Sequence, residues 1–519
     1  MLVNTQLKST QSSSIAQKIL HGVTSAFLLT LVTTLLALFQ FRLVFVFLNY
    51  QVAGIWFLFL TIGAYITFFD MGLNPTIGRE LSLLTGANDI NETRTHTGIV
   101  NLATTCGRLV QILAGLAFLL SLLLGHFFFQ SIAPNIDHAV INIAWGIFAL
   151  GCSFDIVSGA NLAMLYGMGN VASERLTRTL ALIAGFICML VFLKLGFGII
   201  GLSLAWLIQK IISIIVAKYL LNKNFPFFRE IKGVKFQQNI AKKIVMPSLK
   251  WAAMGFGAIL ILQTDNIVIA EMIGTQAIPN YAAVAKITTL LMTLSLMLSN
   301  SSTPFLSGLF AADNFEQFNV LMLRNVRYGM ALMIALVAFI GVYGDMVTNV
   351  WLGKGHFVGF PVLWTLLVMT LLEVHHVILA SATMATGKIV FAPMALLAGI
   401  LNIVFSVLFV NYLGLWGVAL GTMVAQILTN NWYAPYVTLK LFKIKFGDYF
   451  LKVFMPVLVV LAMSLLANTL LRQYVQLVNG LSTLIISAFI SFLISAVFAS
   501  VLLLTASERK ALLSVVRNA

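Results

Sequence analysis

Lys218-Tyr219-Leu220-Leu221-Asn222-Lys223-Asn224-Phe225-Pro226-Phe227-Phe228-Arg229-Glu230-Ile231-Lys232-Gly233-Val234-Lys235-Phe236-Gln237-Gln238-Asn239-Ile240-Ala241-Lys242-Lys243 is the stretch on which the architecture turns. Lys218, Lys223, Arg229, Lys232, Lys235, Lys242 and Lys243 make it basic, Glu230 is its one acid, and long apolar segments flank it. Lys and Arg beside the ends of membrane helices resist translocation, so this connector reads as cytoplasmic and orients every segment around it. It also falls where the chain begins to repeat itself.

The surroundings are those of a membrane protein. Of 519 residues, 60% are hydrophobic and only 9% charged, with a mean hydropathy of +1.00, whereas a soluble domain carries about 25% charged residues. Apolar runs of about 20 residues recur along the chain, each able to cross a hydrocarbon core of about 30 Å. The short alternating segments of a membrane barrel do not occur. The class is therefore all-α and polytopic, with about fourteen spans. The first is read near residues 18–42, the second near 51–76 and the twelfth near 413–438. The polar segment 1–17 does not read as a signal peptide's n-region, so the first helix stays attached.

The net charge of +15 resides in short loops. Positive-inside topology explains it better than nucleic-acid binding, and the same residues attract anionic lipid. Starting inside, the inner segments hold Arg79, Arg94, Arg175, Arg178, the connector, Arg324, Arg327, Lys388, Lys440, Lys443 and Lys445, then Arg509, Lys510 and Arg517. Arg42, Lys194, Lys286, Lys354 and Arg472 stand outside or deep in a span. This asymmetry predicts two cytoplasmic termini. Cys106, Cys152 and Cys188 are isolated in apolar segments and read as packing residues, with neither a disulfide nor a metal spacing. No long outer loop or soluble domain is evident, which favours transport over catalysis by a polymerase or glycosyltransferase. No Gly-x-x-x-x-Gly-Lys phosphate loop occurs, so ATP hydrolysis and a cofactor are not expected.

An internal repeat organises the chain. Leu182-Ile183-Ala184-Gly185 precedes Gly198-Ile199-Ile200-Gly201, and Leu396-Leu397-Ala398-Gly399 precedes Gly414-Leu415-Trp416-Gly417, about 215 residues later. Chance similarity between Gly-rich helices is the alternative. Six helices per half means that both halves enter the membrane in one direction. The reading is two six-helix bundles related by a parallel pseudo-two-fold, with a cavity between them, plus two C-terminal helices. Residues 1–221 are the first bundle, 222–243 the connector, 244–440 the second bundle, and 441–519 the added helices and a cytoplasmic tail. Glycines at these spacings also let helices approach closely.

The second span leads into Phe68-Phe69-Asp70-Met71-Gly72-Leu73-Asn74-Pro75-Thr76-Ile77-Gly78-Arg79-Glu80. This resembles the Asp-x-Gly…Arg signature of the O-antigen and polysaccharide flippases of the multidrug/oligosaccharidyl-lipid/polysaccharide exporter superfamily. Asp265-Asn266-Ile267-Val268-Ile269, Gly274, Tyr281-Ala282-Ala283-Val284-Ala285-Lys286, Pro304 and Ser307 resemble that family's seventh and eighth helices. The resemblance covers nearly the whole chain. Asn49 departs from it, standing where Gly is usual, and Arg42 lies about one turn before the expected basic residue. The resemblance implies a fold like that of the MATE transporters and a flippase in the bacterial inner membrane. Its substrate would be a polyprenyl-diphosphate-linked oligosaccharide, the repeat unit of O-antigen or another surface polysaccharide, moved to the outer leaflet by alternating access. A polysaccharide polymerase and a chain-length regulator are the implied partners. A cation-coupled multidrug antiporter and a peptidoglycan-precursor flippase of the same superfamily are the alternatives.

Ionisable residues inside spans are costly, about 2.5–3.5 kcal/mol each on insertion scales, and mark function. Lys286, Arg108, Lys250 and Arg42 are the candidates for a cationic substrate cavity. For Arg108 the competing reading is snorkelling to the head groups. Asp265, Asp155, Glu373, His375 and His376 are the candidates for gating or ion coupling. Asp265 reads as a partner of Lys286 or as a protonatable gate. Asp155 has no partner visible in the sequence. Asp70, Gly72 and Arg79 read as closing the cytoplasmic end of the second helix. Glu373, His375 and His376 read as a pH-sensitive relay or as plain hydrogen bonding between helices. Adjacent histidines point about 100° apart on a helix, which disfavours a metal. Trp56, Trp351 and Tyr343 suit an interfacial belt.

Overall fold

The computed structural model describes residues 32–87, 93–132, 136–233, 235–388, 390–475, 480–506 and 508–510. Segment 1–17, the start of the first predicted span, Arg517, and the side chains of Arg94, Glu230, Lys232 and Lys250 lie outside the described residues. The chain divides into two compact units between Ile259 and Leu260.

The first unit begins with α1 (Val32–Phe47), α2 (Tyr50–Thr67), α3 (Leu73–Ala87) and α4 (Thr93–Ile132). It continues with α5 (His138–Gly167), α6 (Val171–Lys194), α7 (Gly198–Asn224) and the first part of α8 (Gln238–Met272). The second unit takes the rest of α8, then α9 (Ile278–Ala311), α10 (Phe315–Leu352), α11 (Phe360–Met384), α12 (Ala392–Leu413), α13 (Leu415–Leu428) and α14 (Asn430–Leu441). The short α15 (Phe446–Tyr449), a π-helical segment Phe450–Phe454, α16 (Met455–Val475) and α17 (Leu481–Leu502) complete it. Among the described residues, 12 helices are long and apolar enough to cross a membrane, and none of the elements is a strand. The predicted twelfth span is the pair α13–α14, broken at Thr429, whose φ of −125° and ψ of −92° leave the helical region. The protein is a polytopic helical membrane protein.

The two units repeat one packing scheme. α4 packs on α5, α5 on α7 and α6 on α7 in the first. In the second, α10 packs on α11, α11 on α13–α14 and α12 on α13. The register repeats as well. Ser158 on α5 bonds Ser213 on α7, 55 positions on, and Thr383 on α11 bonds Thr438 on α14 at the same separation of 55. The repeated glycines are contact points. A Cβ on Gly201 would meet Phe192 at 2.8 Å, and one on Gly417 would meet the Phe409 carbonyl oxygen at 2.3 Å. Gly417→Ala is therefore expected to lower stability by about 1–3 kcal/mol, because the obstacle is backbone. Thermal unfolding in detergent measures it.

Aromatic residues do much of the inner packing. Trp56 and Tyr343 are buried, not placed in an interfacial belt as their type predicts. Trp56 lies edge-on to Phe148 and Tyr343 stacks on Phe339. Intramembrane packing leaves room for large rings inside the bundles, and composition cannot distinguish those from ring residues at the interface.

α10 carries the additional helices. At one of its ends Arg327 holds Glu508, beyond α17, in a two-pronged pair of 2.8–3.1 Å contacts. At the other, Arg472 of α16 holds Asp345 at 2.7 Å.

Candidate functional site

The Asp-x-Gly signature is a break in the second span. Phe68–Asp70 forms a single 3-10 turn, and Met71 and Gly72 follow at φ 50° and 72°. Asp70 holds the break from inside, accepting Gly72 N–H at 2.9 Å and the Asn74 amide at 2.7 Å. A Cβ on Gly72 would lie 2.5 Å from the Ser248 carbonyl oxygen of α8, so both the turn and the close approach demand glycine there. Thr76 accepts from Ser248 one turn on. The helix then resumes as α3, so Arg79 sits inside a helix and not at its end. Asn49 has its own explanation: it caps α2, accepting Val52 N–H at 2.9 Å.

This break opens a cleft of about 730 Å³ within the first unit. Asp70, Arg79, Asp155, Glu174, Arg175 and Arg178 line it. Its acids are already engaged. Asp155 pairs with Lys210 of α7 at 3.0 Å, Glu174 pairs with Arg178, and Asp70 is held in the turn. Lys210 in turn lies 4.0 Å over the Trp206 ring. Arg79 is exposed and makes no hydrogen bond or ion pair among the described residues. The cleft therefore offers an uncommitted cation beside satisfied acids.

In the second unit, Asp265 of α8 does not pair with Lys286. Its carboxylate accepts from the Tyr281 hydroxyl at 2.5 Å and the Thr422 hydroxyl at 2.8 Å. Tyr281 facing Asp265 carries Lys286, five residues on, about 140° round α9. Lys286 is half-buried and unpaired among the described residues. The Thr422 hydroxyl is also 2.8 Å from Asn402 Oδ1, and its single proton serves one acceptor at a time. Ser406 donates to Asn402, whose amide donates in turn to the Ile261 carbonyl at 3.1 Å. Asp265, Tyr281, Thr422, Asn402 and Ser406 are all buried.

Glu373 and His376, one turn apart on α11, lie 3.6 Å from each other, and His375 alone points away, as helix geometry requires. Glu373 accepts from Gln426 at 2.6 Å, His376 pairs with Asn431 at 2.8 Å, and both reach the break between α13 and α14. His375 points elsewhere, to the Tyr449 hydroxyl at 2.6 Å. Among the described residues no group of three or more metal-ligating side chains gathers. Arg42 on α1 and Arg108 on α4 are exposed, and Lys250 lies in α8. The cleft lining does not include Arg42, Arg108 or Lys286.

Thr422, Asn402 and Lys210 were not among the residues singled out from sequence, and Tyr281 entered only within a stretch that carries the resemblance. Lys210 carried the signal that marked Lys286, a Lys inside an apolar run. The three neutral residues carried none, because hydroxyls and amides are common in membrane helices.

The fold resembles that of solved MATE and other MOP-superfamily transporters. The chain is similar to an inward-facing multidrug-resistance MATE transporter of that superfamily, with a TM-score of 0.64 and 20% identity over 79% of this chain and 95% of the other. It is similar to a MOP-superfamily transporter from Pyrococcus furiosus, described as having a binding pocket of reversed polarity that suggests a different function. There the TM-score is 0.61, with 18% identity over 82% of this chain and 96% of the other. Both solved neighbours are transporters, not enzymes. Among curated proteins, the uncharacterized membrane protein EpsK of Bacillus subtilis (strain 168) is 24% identical over 324 residues. That match covers 60% of this chain and 62% of EpsK, so the chain spans less than two thirds of that relative's length. No protein-family model matches the chain.

Proposed function

We propose that this protein is a flippase for a polyprenyl-diphosphate-linked oligosaccharide. It moves the repeat unit of O-antigen or another surface polysaccharide from the inner to the outer leaflet of the bacterial cytoplasmic membrane by alternating access. The cleft of the first unit carries this reading: its acids are engaged while Arg79 is left for an anionic head group. Diphosphate charges and sugar hydroxyls cannot cross hydrocarbon unaided, and an arginine fork matches phosphate oxygens. The unpaired Lys286 fits the same requirement. Both termini are then cytoplasmic, and a polysaccharide polymerase and a chain-length regulator receive the product. Asp265, with its shared Thr422 proton, is the coupling group for an ion gradient.

Proteoliposomes carrying a fluorescent polyprenyl-diphosphate oligosaccharide test this. Wild type is expected to translocate the head group. Arg79→Ala is expected to be about tenfold slower, the size of one lost hydrogen bond to a charged group. Exchange of protons or sodium for a cationic dye, with the glycolipid left in place, would favour the antiporter reading instead. The likeness to an inward-facing multidrug-resistance transporter supports that alternative.

A further inference from the structure

A second cleft, of about 740 Å³, lies within the second unit between the end of α9 and the beginning of α10. That volume is in the range of about 300–1,000 Å³ that binds whole ligands. Leu298, Phe305, Leu309 and Leu321 form apolar walls, with Arg324 and Tyr328 above them. Leu298 is 49% and Phe305 59% exposed, so the walls stand open towards the surface. The polar part of the lining is internally satisfied where Asn325 donates to Ser302 at 2.5 Å. Arg324 is not. It is exposed and makes no hydrogen bond or ion pair among the described residues, while Arg327, one turn on, is taken by Glu508.

These features select an occupant. Apolar walls on membrane-spanning helices suit acyl chains better than a soluble ligand. An unanswered guanidinium above them calls for a phosphate. Among the described residues no carboxylate lines the cleft, so a zwitterionic head group would leave its own cation unmatched. We propose that the α9–α10 cleft seats one anionic phospholipid, with its phosphate on Arg324 and the Tyr328 hydroxyl and its chains against Phe305 and Leu298. This end of α10 carries Arg324 and Arg327 and sits on the side read as inner, the leaflet rich in anionic lipid. The proposal does not depend on what the protein transports.

Native mass spectrometry of the full chain in micelles of mixed phosphatidylglycerol and phosphatidylcholine tests it. Wild type is expected to retain phosphatidylglycerol about fivefold over phosphatidylcholine, the preference that one arginine near an anionic head group supplies. Arg324→Ala loses that preference and Arg324→Lys keeps most of it. Gly308→Leu is the second test. A Cβ on Gly308 meets nothing within 4 Å, so a larger side chain enters the cleft without disturbing the helix pair. It is expected to exclude both lipids while leaving the unfolding temperature unchanged. Equal retention of the two lipids by wild type overturns the proposal, as does undiminished binding by Gly308→Leu. Retention of a polyprenyl phosphate in place of phospholipid overturns it too, because the cleft would then belong to the transported lipid.

Discussion

Asp265→Asn is expected to reduce transport to its undriven rate while the protein still folds. The side chain keeps its shape and one acceptor oxygen, but it can no longer take up or release a charge. In the wild type, two hydroxyls donate to this carboxylate, and one of them sits equally near a second acceptor, Asn402. That arrangement gives the Thr422 hydroxyl two acceptors, so the carboxylate proposed for coupling can gain or lose a proton without stranding it. An amide can keep its oxygen towards Tyr281 and turn its nitrogen towards Thr422, whose hydroxyl then accepts from the amide and donates to Asn402, so the structural cost is expected to be small. Head-group translocation with and without an imposed proton or sodium gradient measures the functional effect, and thermal unfolding measures the structural one. A variant that still responds to the gradient as wild type does would remove Asp265 from the coupling mechanism.

The pair Arg327–Glu508 is expected to carry the largest single effect on stability. Both side chains are nearly buried, at 10% and 7% exposure, and their contacts are bidentate. Removing either partner alone leaves a buried charge unanswered and is expected to cost about 3–5 kcal/mol. The double change Arg327→Met with Glu508→Leu removes both charges and is expected to cost far less than the sum. A cost equal to the sum would mean that the two residues act separately. Burial alone would push the Glu508 carboxyl up, but the bonds from Arg327 and Thr505 outweigh it and hold it below the usual carboxylate range. For a lowered carboxylate, the stabilisation is complete above the ordinary range and is lost as pH falls through the lowered value. Unfolding temperature is thus expected to be flat around neutrality and to fall only in acid, and Glu508→Gln removes that acid limb.

Much of the fold was legible because a bilayer makes strict demands on sequence. Each span must be long and apolar, and basic residues must gather on one side. Both features sit in the linear order of residues. The same holds for the positions of the glycine repeats, whereas their contacts with Phe192 and Phe409 are set by packing. The candidate site was legible only in part. Asp155 was recognisable as a charge inside a span, and Asp70 and Arg79 as a signature at the end of one, and all three line one cleft. Their partners were not recognisable, because pairing depends on which face of a neighbouring helix comes round to meet them.

The break at Asp70–Gly72 shows the division most plainly. The sequence marked Asp70 and Gly72 only as a signature that closes the end of the second helix. That the turn interrupts a span, with a second helix resuming beyond it, needed the packing of Ser248 against Gly72. Asp265 shows the same for charge. Its cost in a membrane was evident from sequence, whereas its choice of Tyr281 and Thr422 over Lys286 was a matter of helix rotation. The linear chain determined the membrane-spanning class, the repeat and the positions of costly charges, because hydrophobicity and transfer cost belong to each residue wherever it stands. Tertiary structure decided which charges are satisfied and which stand unpaired among the described residues, because a hydrogen bond requires two groups within about 3 Å, and only the packed helices set that distance.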